Sequence, residues 1–80
     1  MSEEAKVDLV LDLKGLLCPL PVVRISEAIK TIPVGGIIEA QATDPGALAD
    51  IPAWAKSSGH RVLRAEWGGE VIRFWVRRQR

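Results

Sequence analysis

Cys18 is the only cysteine among the 80 residues, and it stands in Gly15-Leu16-Leu17-Cys18-Pro19-Leu20-Pro21. A lone cysteine can form neither an internal disulfide nor a multi-cysteine metal site, so its covalent chemistry needs sulfur from elsewhere. Prolines one and three positions later open a helix-patterned stretch, which puts the thiol near the positive end of a helix dipole. Thiols so placed ionise more readily, and the thiolate is the reactive species. A thiol of pKa about 8.5 is less than roughly a tenth ionised near neutral pH, and a drop of two units makes it mostly thiolate. The same prolines remove two amide donors, so the expectation is a well-placed, moderately activated thiol. Lys14 and Arg24 could add positive charge.

The chemistry open to such a thiol is sulfur exchange. It attacks the outer sulfur of a donor persulfide, holds it as Cys–S–SH, and passes it on by the same exchange. No other residue offers a comparable reagent. His60, the only histidine, has no cysteine or carboxylate cluster beside it in the sequence and reads as a surface or turn residue rather than a metal ligand. Asp44 and Asp50 read as turn and capping residues. Asp44 follows a strand, so it could also reach the Cys18 end of a sheet and shape the site. Gly15 supplies backbone freedom before the thiol.

These residues must be positioned by a small set of elements. Residues 7–13 alternate, with Val7, Leu9, Leu11 and Leu13 on one face, as a half-buried strand does. From Pro19 to Ile32 the period becomes helical, with Val22, Ile25, Ile29 and Ile32 inward. This helix starts at Pro19 or at Pro21, because Leu20, preceding a proline, is biased away from helical ψ. Pro33 and Gly35-Gly36 end it. Ile37 to Thr43 forms a second strand with Ile38, Ala40 and Ala42 inward. Asp44 to Ala49 reads as a loose turn. A second helix then starts with Asp50 as N-cap, which keeps Pro52 in its first turn, and Gly59 caps its end. Arg61 to Trp67 and Val71 to Arg78 are strands around a Gly68-Gly69 hairpin.

The order β-α-β-α-β-β predicts an α+β fold: a two-layer α/β sandwich, with a four-stranded mixed sheet and both helices on one face. Eighty residues suffice for one domain, expected over 7–78 behind a flexible tail at 1–6. The net charge of +1 argues against bulk attraction to nucleic acid or anionic lipid. The N-terminus lacks the pattern of a signal peptide and no apolar run is long enough for a membrane span. One unpaired cysteine suits a reducing compartment, so the expected location is the cytoplasm.

One segment supports a rival class. Arg73, Trp75 and Arg77 alternate onto the open sheet face, and arginines interleaved with an aromatic ring can bind single-stranded nucleic acid. The same face should carry Asp8, Asp12, Glu39 and Glu66, a balanced surface rather than a basic platform. The alternative is thus a non-catalytic RNA- or protein-binding module. Trp54 and Trp67 read as core or edge packing.

The stretch Leu11-Asp12-Leu13-Lys14-Gly15-Leu16, followed by Cys18-Pro19-Leu20-Pro21, resembles the Cys-Pro-x-Pro motif of the TusA/SirA/YedF sulfur-carrier family. Thr43-Asp44-Pro45 and Asp50-Ile51-Pro52 extend the similarity, which covers most of Leu9 to Arg77. The resemblance implies a sulfurtransferase-type relay without a bound cofactor. Cys18 would receive sulfane sulfur from a cysteine desulfurase or rhodanese and hand it to an acceptor protein. Gly15, Pro19, Pro21 and Asp44 would shape the site, and Leu17, Leu20 and Arg24 would meet partners. Leu17 and Leu20 depart from the thiouridine-pathway branch, which carries charged residues there, so a different docking partner is implied. Thiouridine synthesis, molybdenum-cofactor sulfuration, sulfur oxidation and selenium handling all remain compatible.

Overall fold

The structure, a computed structural model, describes residues 7–80. The expected N-terminal tail at 1–6 lies outside the described residues. Strand β1 (Leu9–Leu13) leads to helix α1 (Leu20–Ala28), which tightens into a 3₁₀ turn over Ile29–Thr31. Strand β2 (Ile37–Ala42), helix α2 (Ala47–Ser58) and strands β3 (Arg61–Gly68) and β4 (Val71–Arg77) follow. The sheet order is β1-β2-β4-β3, with β1 and β2 parallel and the other pairs antiparallel. This is the expected mixed four-stranded sheet of a two-layer α+β fold.

Alternation along the strands decides which face the helices cover. Leu13, Ile38, Ala40, Ala42, Ile72, Phe74 and Val76 are each at most 1% exposed and meet Ile25 and Ile29 of the first helical segment and Ile51 of α2. Fully burying a side chain such as Phe74 is worth roughly 1.5–3 kcal/mol. Helix α1 ends before the expected Ile32. Ile32 precedes Pro33, which disfavours helical ψ, and it adopts φ −107, ψ 159 while its side chain stays buried.

Helix α2 corrects the sequence expectation most sharply. It begins at Ala47, not after an Asp50 N-cap, so Pro52 lies inside the helix. The amides of Ala47, Leu48 and Ala49 donate to the carbonyls of Asp44, Pro45 and Gly46, so the expected turn is kept only over Asp44 to Gly46 and its last three residues, Ala47 to Ala49, are helical. An interior proline costs about 3 kcal/mol. Against this, Ala47, Ile51 and Ala55 recur four residues apart and are almost fully buried, and that apolar stripe needs a helix from Ala47 onward. Gly59 caps the end with φ +81.

The hairpin is displaced by one residue. Gly68 still pairs with Val71, so the two-residue loop is Gly69-Glu70 rather than Gly68-Gly69. Gly69 has φ +75 and Glu70 does not have positive φ, as a type II′ turn requires. The pairing register shifts between Val62 and Arg64, leaving a bulge at Leu63 in edge strand β3. Trp67 sits on this edge and is 60% exposed.

On the open face, Trp75 is only 9% exposed. The Arg64 guanidinium carbon lies 4.6 Å from its ring centroid, and Glu39 pairs across the sheet from it. Arg64 also bonds Glu66, and Arg73 reaches Glu39 at 4.0 Å. The ring that an RNA-binding module would need for base stacking is thus covered by its own neighbours.

Candidate functional site

The parallel register sets Leu13 beside Ala42, so the loops leaving β1 and β2 emerge side by side at one end of the sheet. Within the first loop, Gly15 takes φ +83, a conformation that favours glycine. No atom lies within 4 Å of where a Cβ would stand, so glycine is needed for backbone geometry and not for space. The Gly15 amide donates to Thr43 Oγ1 at 2.9 Å, which ties the two loops together. Lys14 turns aside, its Nζ donating to Gln41 Oε1 at 3.2 Å and lying 3.8 Å from Asp12.

The start of α1 lies between the two sequence alternatives. Leu20 is the first helical residue, Pro19 the N-cap and Pro21 a buried residue of the first turn. The Cys18–Pro19 peptide is cis. The Leu20 amide donates to the Leu17 carbonyl at 2.8 Å and the Val23 amide to the Pro19 carbonyl at 3.1 Å. With Pro21 lacking an N–H, few first-turn donors are left for a thiolate.

Cys18 is exposed and is held by two carboxylates from the second loop and α2. Its amide donates to Asp44 Oδ2 at 2.9 Å, and its thiol donates to Asp50 Oδ2 at 2.7 Å. Asp44 also accepts the Gly46 amide through Oδ1 at 3.1 Å, so one side chain fixes both the helix entry and the thiol backbone. The thiol pKa is raised above its ordinary value, first by the hydrogen bond to Asp50, then by desolvation and by the charges of Asp50 and Asp44. The two carboxylates thus oppose the activation expected from the helix start.

Asp50 is the residue that sequence reasoning placed elsewhere. As an N-cap it would have bonded its own helix; from the first turn of α2 it reaches the sulfur instead. A signal was present. Two strands joined by a helix crossover are parallel, so the residues opening α2 had to arrive at the Cys18 end.

Of the other expected site residues, Leu17 is 69% exposed and Leu20 44%, and Val23, one turn beyond, is 41% exposed. Arg24 is exposed beside them. Exposed apolar side chains thus flank Cys18 along the chain, with an exposed arginine further into α1. His60 lies elsewhere: its Nδ1 accepts the Gln79 amide at 3.1 Å, and its ring stands 5.5 Å from that of Trp54. Among the described residues no group of three His, Cys, Asp or Glu side chains is placed to hold a metal, and no helix is long and apolar enough to cross a membrane. A cavity of about 410 Å³ opens at the far ends of the helices, lined by Lys30, Trp54, His60, Arg78 and Arg80, and contains no part of the thiol site.

A two-layer α+β domain with one exposed cysteine at a strand-to-helix junction defines the class. The chain belongs to the sulfurtransferase TusA family, which matches residues 9–78. It is 45% identical over 73 residues to YrkI of Bacillus subtilis (strain 168), provisionally named a sulfur carrier, covering 91% of this chain and 97% of that one. YrkF of the same organism, provisionally named likewise, is also 45% identical over 73 residues, but this chain spans only 40% of its length. The sulfur carrier protein TusA of Pseudomonas savastanoi pv. phaseolicola (strain 1448A / Race 6) is 32% identical over 77 residues, covering 96% of this chain and 92% of that one. The crystal structure of a SirA-like protein from Desulfitobacterium hafniense superimposes with a TM-score of 0.77 at 20% identity, covering 90% of this chain and 99% of that one. That likeness establishes the fold.

Proposed function

We propose that this chain is a sulfur carrier that accepts sulfane sulfur on Cys18 as a persulfide and relays it to an acceptor protein. The observation that carries this reading is the chain's sole cysteine, exposed in Cys18-Pro19-Leu20-Pro21 at the helix junction of a TusA-family fold. The carrier domain spans residues 7–78 and works as a stoichiometric intermediate without a bound cofactor. Its donor is a cysteine desulfurase or rhodanese, which delivers sulfur as a persulfide. Leu17, Leu20 and Arg24 meet the partners, and Gly15, Pro19, Pro21 and Asp44 hold the thiol for them. A reducing compartment such as the cytoplasm keeps the unpaired thiol free.

Intact mass spectrometry tests this directly. After incubation with a cysteine desulfurase and free cysteine, the protein should gain the mass of one sulfur. Reductant should remove the gain, and Cys18→Ser should show none. An unmodified wild-type mass with both desulfurase and rhodanese donors would refute the reading.

A further inference from the structure

The thiol site contains a contradiction. Sulfur exchange needs a nucleophilic sulfur, yet Cys18 donates its proton to Asp50 Oδ2 at 2.7 Å, and the charged groups acting on its ionisation are Asp50 and Asp44. A carboxylate beside a thiol opposes the free thiolate. The same carboxylate, already bonded to the proton, can accept it during attack, so that no free thiolate need form. We propose that Asp50 is the acid–base residue of sulfur acceptance, moving the Cys18 proton to the donor's leaving sulfur. This role rests on the sulfur-carrier reading and adds a residue to it.

The step balances without an outside reagent. Cys18 Sγ attacks the outer sulfur of a donor persulfide as its S–H proton passes to Asp50 Oδ2. The new Sγ–S bond forms while the donor's S–S bond breaks, and that electron pair leaves on the donor's inner sulfur. Asp50 returns the proton to this sulfur, giving a donor thiol and Cys18–S–SH. Cys18 is oxidised to the persulfide level as the donor cysteine is reduced, so nothing further is consumed. In the onward transfer to an acceptor thiol, the Cys18 sulfur becomes the leaving group and the route runs in reverse.

Geometry separates Asp50 from its neighbour. Asp44 meets the Cys18 amide and the Gly46 amide, both of which keep their protons, so it positions the thiol. Asp50 alone meets the transferable proton. Its place on the rigid first turn of α2, behind the fully buried Ile51, keeps the carboxylate at the sulfur.

Asp50→Asn tests the role because a proton carrier and a mere electrostatic brake predict opposite results. The probes are iodoacetamide, which reports thiolate, and glutathione persulfide, which needs no docking surface and is read by intact mass. Loss of the carboxylate should make alkylation near neutral pH faster. Sulfur acceptance should nevertheless slow, by on the order of 10²-fold, the lower end of what a positioned acid–base group supplies. The residual acceptance should also climb with pH relative to wild type, by about tenfold per unit below the thiol pKa, because it now depends on free thiolate. Acceptance that stays equal or rises together with alkylation would overturn the proposal and leave Asp50 as a brake. If wild type gains no sulfur from this probe or from the desulfurase and rhodanese donors, the carrier reading itself falls; if both proteins gain it at one rate, only the proton role does.

Discussion

The groups nearest the two ends of the helical layer carry opposite charge. Where α1 and α2 begin, Asp44 and Asp50 meet Cys18; where the helical segments end, Lys30, Arg78 and Arg80 line a cavity with His60. Each arrangement suits its helix ends, which carry about half an elementary charge, positive at the start and negative at the finish. Arg78 makes the match explicit at the far end, donating from Nη1 to the Ile32 carbonyl at 2.6 Å. At the thiol end the match works against the sulfur. The dipole that was expected to favour thiolate also favours carboxylates, and whole charges at hydrogen-bond distance outweigh a partial charge spread over a turn that prolines have thinned. Proximity to a helix start therefore does not by itself activate a cysteine; its nearest partners decide.

The two ends share one support, and breaking it should have the largest effect. Ile51 follows Asp50 on α2 and is fully buried in the core. Ile51→Ala should cost about 2–5 kcal/mol in denaturant unfolding, the usual range for a truncated core isoleucine. A cost under about 1 kcal/mol, well below that range, would mean that α2 is not anchored there, and the fixed position of Asp50 would lose its basis. Next in size, Asp44→Ala removes the acceptor for both the Cys18 and Gly46 amides and should cost about 1 kcal/mol. It should also lower the thiol pKa, but by less than Asp50→Asn, because Asp50 contributes the hydrogen bond and the larger charge effect. The pH dependence of iodoacetamide alkylation measures both, and the reverse ranking would dissolve the distinction between the positioning and the proton-bearing carboxylate.

Most of the strand pattern was legible because period-two alternation fixes which residues face the helices: Ile38, Ala40 and Ala42 point inward as read. Cys18 and its junction were legible too, since a single thiol before two prolines has few competing explanations. The site's second carboxylate was hidden by Pro52. Local rules put a proline in the first turn, which moved the start of α2 to Asp50 and made that residue its own helix's cap. The stripe Ala47, Ile51 and Ala55 overrode the proline through tertiary burial, a term that no local rule contains. The hairpin slipped by one residue for a similar reason. Either glycine could occupy the turn, and the pairing of Gly68 with Val71 chose between them.

The smallest effect belongs to the basic end and its one group that titrates near neutrality. Partial burial, together with the nearby charges of Arg78 and Arg80, lowers the His60 pKa below its ordinary value. The folded protein therefore holds His60 neutral, with Nδ1 accepting the Gln79 amide, at pH values where the unfolded chain has begun to bind a proton. When the unfolded state binds more protons, stability rises with pH. His60 thus contributes stability that is present above the unfolded pKa of about 6.5 and is lost as pH falls through the lower folded value. Thermal unfolding of wild type and His60→Gln over this acid range should show it. The substituted side chain can still accept the amide through its carbonyl oxygen but takes up no proton, so the wild-type melting temperature should fall more on acidification. Parallel curves would show that the basic lining does not act on His60, and the contrast with the thiol end, where neighbouring charges govern the titrating group, would lose its counterpart.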